Sequence, residues 1–152
     1  MSTARILMNL QKDLREFVEL LNELDVQFLV VGAFAVAYHG YPRYTADLDL
    51  FVDRSPENAD RLLKAIHQFG FGEIELTKED FVRENQVIQL GVAPNRIDLL
   101  TGISGVAFEE AWESRELGEI GALNIPFISR DLLKRNKAAS GRTQDLADLE
   151  HL

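Results

Sequence analysis

Asp47 and Asp49 stand two residues apart in the run Asp47-Leu48-Asp49-Leu50-Phe51-Val52. On a strand that spacing turns both carboxylates to one face and Leu48 and Leu50 to the other. Two adjacent like charges repel unless a cation or solvent relieves them. The pair therefore lies either on the solvated face of an edge strand or at a place where chemistry uses it. A third acid, Asp98, sits among aliphatic residues in Arg96-Ile97-Asp98-Leu99-Leu100. An acid there is costly unless it is paired, protonated or bound to metal. Three such carboxylates suit Mg²⁺ ions that bridge an attacking oxygen and a transferred phosphoryl group. Phosphate also has candidate partners. Val31-Gly32-Ala33 closes a strand and opens a helix, a junction that offers backbone N–H groups and a positive helix end to an anion. Glycine allows close approach there, and Ala33 leaves the place uncrowded. Arg43 and Thr45, just before the carboxylates, can hold phosphate or orient Asp47.

The elements that must position these groups are legible as α/β (α+β). Leu7, Leu10, Leu14, Phe17, Leu21 and Leu24 recur in steps of three and four, so residues 1–25 contain an amphipathic helix with charged residues largely on its other face. It packs on the core or, as a short heptad run, forms a seam through which the chain oligomerises. Phe28–Val31 reads as a buried strand, Ala33–His39 as a short helix, and 47–52 as a second strand. Ser55-Pro56-Glu57 starts a helix that stops at Gly70. A weaker strand is expected at Glu73–Leu76. Val87–Val92 and Arg96–Leu100 flank Ala93-Pro94-Asn95 as a hairpin. A helix near Val106–Ser114, strands at Leu117–Ile120 and Leu123–Phe127, and a C-terminal helix pair over 129–152 complete the chain. Ser129 caps the first helix of that pair and Gly141 ends it. The whole of 1–152 reads as one domain.

Composition narrows the function. Sixteen Lys and Arg against 25 Asp and Glu give a net charge of −9, which disfavours strong non-specific binding to nucleic acid. The absence of cysteine removes disulfides, zinc ribbons, iron–sulfur clusters and thiol catalysis. No apolar run reaches the ~18 residues of a membrane helix and no secretory apolar core opens the chain, so a cytoplasmic protein without membrane partners is expected. A phosphate loop with its Gly-Lys-Ser/Thr is lacking. His39, His67 and His151 form no metal array, and Trp112 with Phe108 four residues earlier reads as core. Charge is uneven: Arg130, Lys134, Arg135, Lys137 and Arg142 face one acid, Asp131, within 130–142, a local +4 against −13 for the rest. That segment is either a solvated face or a place for phosphate.

The chain resembles the polymerase-β-like nucleotidyltransferase superfamily. The resemblance rests on Val31-Gly32-Ala33, thirteen intervening residues, Asp47-Leu48-Asp49-Leu50 and the later Asp98. Arg43-x-Thr45-x-Asp47-x-Asp49 and the C-terminal Lys137, Arg142, Asp145 and Asp148 are similar to a bacterial branch that holds AbiEii-type toxins and nucleotidyltransferase-like proteins. The resemblance spans roughly Phe28 to the C-terminal helices. It implies a nucleotidyltransferase fold, a short mixed sheet backed by helices. The implied chemistry is attack of an acceptor on the α-phosphorus of a nucleoside triphosphate (NTP), with pyrophosphate leaving. Asp47, Asp49 and Asp98 would be catalytic and would hold Mg²⁺ or Mn²⁺, Asp98 on the side of the acceptor. Gly32 and Ala33 would give backbone donors to the phosphates, and Lys137 and Arg142 would neutralise the triphosphate. Asp145 would orient Lys137 or Arg142, or complement the start of the last helix. Position 33 is Ala where many members carry Ser, one neutral hydrogen bond fewer, about 0.5–1.5 kcal/mol. With so little chain beyond the core, the expected acceptor is a small molecule, a protein, or RNA delivered by a partner. The alternative implied function is a catalytically weak or inactive module of this fold that acts as a binding or regulatory partner, as in a toxin–antitoxin pair.

Overall fold

The computed structural model describes residues 12–41, 47–70, 75–91, 96–120 and 123–152. They form a mixed α/β protein of six strands and seven helices. The helices are α1 (Lys12–Glu23), α2 (Gly32–Tyr38), α3 (Pro56–Phe69), α4 (Lys78–Val82), α5 (Phe108–Glu113), α6 (Arg130–Ser140) and α7 (Thr143–Leu149). The strands are β1 (Phe28–Val31), β2 (Leu48–Val52), β3 (Val87–Leu90), β4 (Ile97–Leu100), β5 (Glu116–Ile120) and β6 (Leu123–Phe127). Their order across the sheet is β3-β4-β2-β1-β6-β5. β1 runs antiparallel to β2 and parallel to β6, while β2 runs parallel to β4. Two antiparallel pairs, β3 with β4 and β5 with β6, flank this centre.

The core follows from the apolar stripes. β1 is buried along its whole length, as a continuous Phe-Leu-Val-Val run requires of a central strand. On α1, Leu14, Phe17, Val18 and Leu21 are buried, and Phe17 meets Phe69 of α3 edge to face at 5.3 Å. Over its described residues this helix therefore turns its apolar face inward; Leu7 and Leu10 lie outside them. Asn58 is 1% exposed and fastens α3 to the sheet. Its side chain accepts from Gln27 N at 2.7 Å and donates to the carbonyls of Gln27 and Asp53.

Local signals set the helix ends. Ser55 and Ser129 accept from Asn58 N and Leu132 N, and Gly70 and Gly141 close α3 and α6 in left-handed conformation. The strand expected at Glu73–Leu76 is not formed where it is described, since Glu75 and Leu76 belong to neither strand nor helix. Its residues 73 and 74 lie outside the described residues. The chain instead enters α4, whose start is fixed by Asp80 accepting from Thr77 N at 2.8 Å. The hairpin expectation holds for its strands, which pair from Val87↔Leu100 to Leu90↔Ile97; Ala93-Pro94-Asn95 lies outside the described residues. Among the described residues no helix is long and apolar enough to cross a membrane.

Candidate functional site

β2 lies between β1 and β4, so the solvated edge-strand reading of the Asp47–Asp49 pair falls. An interior strand has neighbours on both sides. Across one side Asp49 pairs in register with Val31, and across the other with Asp98. Leu48 and Leu50 are 1% and 0% exposed on the core face, which drives both aspartates to the opposite face. Two distant segments thus place their carboxylates side by side, with Asp47 one residue ahead of β2.

Gly32 follows Val31 directly, with φ +67°. A Cβ there would overlap Asp49 Oδ2 and lie 3.0 Å from its Cγ. Glycine is needed both for the backbone angle and for the room it leaves the carboxylate. Ala33, next on α2, is partly buried.

The electrostatics are strained. Burial pushes the Asp49 carboxyl up to about 7, helped by the charges of Asp98 and Asp47 and by a hydrogen bond shared with Asp98, while Arg96 pulls the other way. Titration of groups this close belongs to the cluster rather than to one residue. Arg96, to which the sequence had given no role, supplies the counter-charge. Its Nη2 lies 3.0 Å from Asp47 Oδ2 and 3.1 Å from Asp98 Oδ2. The signal was available: Arg96 and Asp98 are two apart near the start of a strand and so share a face. Asp98 is 8% exposed, and its Oδ1, like Arg96 Nε, is buried without a hydrogen-bond partner.

These residues fit a divalent cation chemically. The donors are hard carboxylate oxygens, one is buried and unsatisfied, and the cluster's mutual repulsion is of the kind a cation relieves. Among the described residues no three His, Cys, Asp or Glu side chains form a ready-made metal array; the guanidinium holds Asp47 and Asp98 to itself.

The C-terminal residues pair with one another. Lys137 is 5% exposed, with Nζ 2.9 Å from Asp145 Oδ1 and 3.3 Å from Asp148 Oδ2. Asp145 also accepts from Arg142 Nε at 2.8 Å and from Ser140 Oγ. Burial alone would raise the Asp145 pKa, but the hydrogen bonds from Ser140, Lys137 and Arg142 and the Lys137 charge bring it down to about 2. Asp145 therefore binds both basic residues. Much of the +4 of 130–142 is answered locally: Lys137 by two buried acids, Arg135 by Glu110 at 2.6 Å, and Arg130 by the Leu152 carbonyl at 3.0 Å. Arg43 and Thr45 lie outside the described residues. His39 has an ordinary role, with Nε2 2.7 Å from the Ile128 carbonyl oxygen. Trp112 is partly buried, stacked on Phe108 and covered by Arg115 at 3.9 Å.

No protein-family model matches the chain, and no curated protein matches it significantly. Its fold is similar to that of a solved Thermotoga maritima protein described as "a putative nucleotidyltransferase". The TM-score is 0.62 at 16% identity, over 90% of this chain and 88% of that one. At that identity the shared property is the overall fold, which in this chain is a nucleotidyltransferase-like α/β fold built on a six-stranded mixed sheet.

Proposed function

We propose that this chain is a divalent-cation-dependent nucleotidyltransferase, related to the AbiEii-type and nucleotidyltransferase-like bacterial branch, that moves a nucleoside monophosphate from an NTP to an acceptor. One observation carries the reading. Asp49 and Asp98, far apart in sequence, are register partners on adjacent strands, beside a glycine that gives Asp49 its room. A purely structural strand pair gains nothing from two facing acids, because directly opposed like charges destabilise a sheet.

In this reading Asp47, Asp49 and Asp98 hold Mg²⁺ or Mn²⁺. The bound cation neutralises charge on the triphosphate and lowers the pKa of the acceptor group. The chain's own contribution is positioning. Leu48 and Leu50 lock β2 into the core and fix the direction of the two aspartates. Gly32 and Ala33 turn the backbone at the start of α2 beside Asp49, where their N–H groups face the phosphates in the proposed complex. Attack forms a bond from the acceptor oxygen to the α-phosphorus, breaks the bond to the β-phosphate oxygen, and releases pyrophosphate and the acceptor proton. Lys137, already neutralised by Asp145 and Asp148, contributes to triphosphate binding only through the position of the C-terminal helices, whereas Arg142, its side chain 80% exposed, is proposed to neutralise the triphosphate directly.

The acceptor is proposed to be a small molecule, a protein, or RNA brought by a partner, because the acidic surface repels a long polyanion. The test is a panel of labelled NTPs with Mg²⁺ or Mn²⁺, read as pyrophosphate release and label transfer in a cell extract. Wild type should transfer label and Asp49→Asn should not. Nucleotide binding without any transfer would instead support the catalytically inactive module, and absence of both binding and transfer would end the nucleotidyltransferase reading.

A further inference from the structure

The contact between Arg96 and two of the three site carboxylates has a directional consequence. A single nitrogen, Nη2, lies between Asp47 Oδ2 and Asp98 Oδ2 at 3.0 and 3.1 Å. A planar guanidinium normally meets a carboxylate through two nitrogens in a fork. Here one nitrogen is shared between two residues, while Nε stays buried and unpartnered and Asp98 Oδ1 finds no donor. The arrangement leaves hydrogen-bonding capacity unused on both sides. It is a compromise in which one guanidinium nitrogen serves two acids.

We propose that Arg96 is a resident counter-cation of the Asp47–Asp49–Asp98 cluster, holding Asp47 and Asp98 in the cation-free protein and competing with a divalent ion for them. The inference rests on the site reading above and adds a residue to it. Arg96 is a positioning residue with an exit. Its side chain is 35% exposed, as is that of Asp47 at 37%, whereas Asp98 is enclosed at 11%. The Asp47 contact is thus the one nearer solvent and the easier to open. Release of the guanidinium removes one donor from each of these two aspartates. The second oxygen of Asp98, buried and unsatisfied, is already free of any donor.

Competition makes stability and cation affinity move in opposite directions. Removing Arg96 takes a counter-charge away from the three acids, so the cation-free protein loses stability, yet the site becomes more available to a divalent ion. If the guanidinium occupies the carboxylates nine-tenths of the time, its loss tightens the apparent dissociation constant about tenfold. A residue with only a structural role would lower stability and affinity together.

The experiment uses Mn²⁺ alone as the probe, with the full chain, calorimetric titration and thermal melts in chelator and in Mn²⁺. Arg96→Met should melt lower than wild type in chelator, bind Mn²⁺ about tenfold more tightly, and gain more melting temperature from Mn²⁺. Arg96→Lys keeps the charge but presents a point donor, so its Mn²⁺ affinity should fall between the two; it also covers the case in which Arg96→Met does not fold. Mn²⁺ binding to wild type with equal or weaker binding to both variants overturns the proposal and leaves the carboxylate site standing. No Mn²⁺ binding to wild type or to either variant overturns the site reading and the proposal together.

Discussion

Replacing Asp49 by Asn keeps the side chain's shape and removes one of three crowded charges. The folded cluster raises this carboxyl from 3.8 to about 7. At ~1.36 kcal/mol per unit, the cation-free protein carries an ionisation penalty of about 4 kcal/mol at most. Coupling to Asp47 and Asp98 and the hydrogen-bonding demands of the new amide reduce the expected gain to roughly 1–3 kcal/mol. The pH window follows from the direction of the shift. The group's contribution is intact below its unfolded value, is lost as pH rises from about 4 through about 7, and is level above that. Asp49→Asn should therefore match wild type near pH 4 and exceed it increasingly up to pH 7–8. For a chain of this size that is a rise of about 2–4 °C in melting temperature per kcal/mol. Chemical and thermal denaturation in chelator, at low salt, from pH 4 to 8.5, measures it. A difference that stays constant across this range, or a variant less stable than wild type at pH 8, would refute the reasoning that repulsion within the cluster governs the site.

Lys137→Ala should destabilise the fold by about 3–5 kcal/mol, because Asp145 and Asp148 would be left buried without their cation; urea titration checks it. An unchanged midpoint would mean that these acids are solvated. The lowered Asp145 pKa predicts roughly 2 kcal/mol of stability that is present above about pH 4 and lost as pH falls through about 2. Asp145→Asn should flatten that acid limb in melts between pH 2 and 5, and a limb of unchanged slope would contradict it. Gly32→Ala should cost about 1–2 kcal/mol from the positive φ alone and displace the Asp49 carboxylate as well. Its melting temperature should fall, and its response to Mn²⁺ should weaken.

The six strands and most helix boundaries were legible because each is decided within a few residues. A serine oxygen reaches an N–H three residues on, and a glycine ends a helix through its own backbone angle. α4 was missed although Thr77-x-x-Asp80 is a local start signal, because Leu76 and its apolar neighbours read as a weak strand. The Asp47–Asp49 pair was legible for the same reason as the caps. Strand periodicity alone puts both on one face and both leucines on the other.

What the residues dictate by themselves is therefore the acid pair, the glycine turn before α2, the capped helices and an α/β succession. Tertiary structure decided that Asp98 lies against Asp49, because β2–β4 register joins residues 49 positions apart, and pairing at such separation depends on the whole sheet order. It also decided that β2 is interior, that Arg96 serves two acids at once, and that Lys137 is enclosed against Asp145 and Asp148. A lysine eight residues before an aspartate has the same charge whether solvated or buried. Only the packing of α6 on α7 removes the water around it, and without water its charge must be met by Asp145 and Asp148.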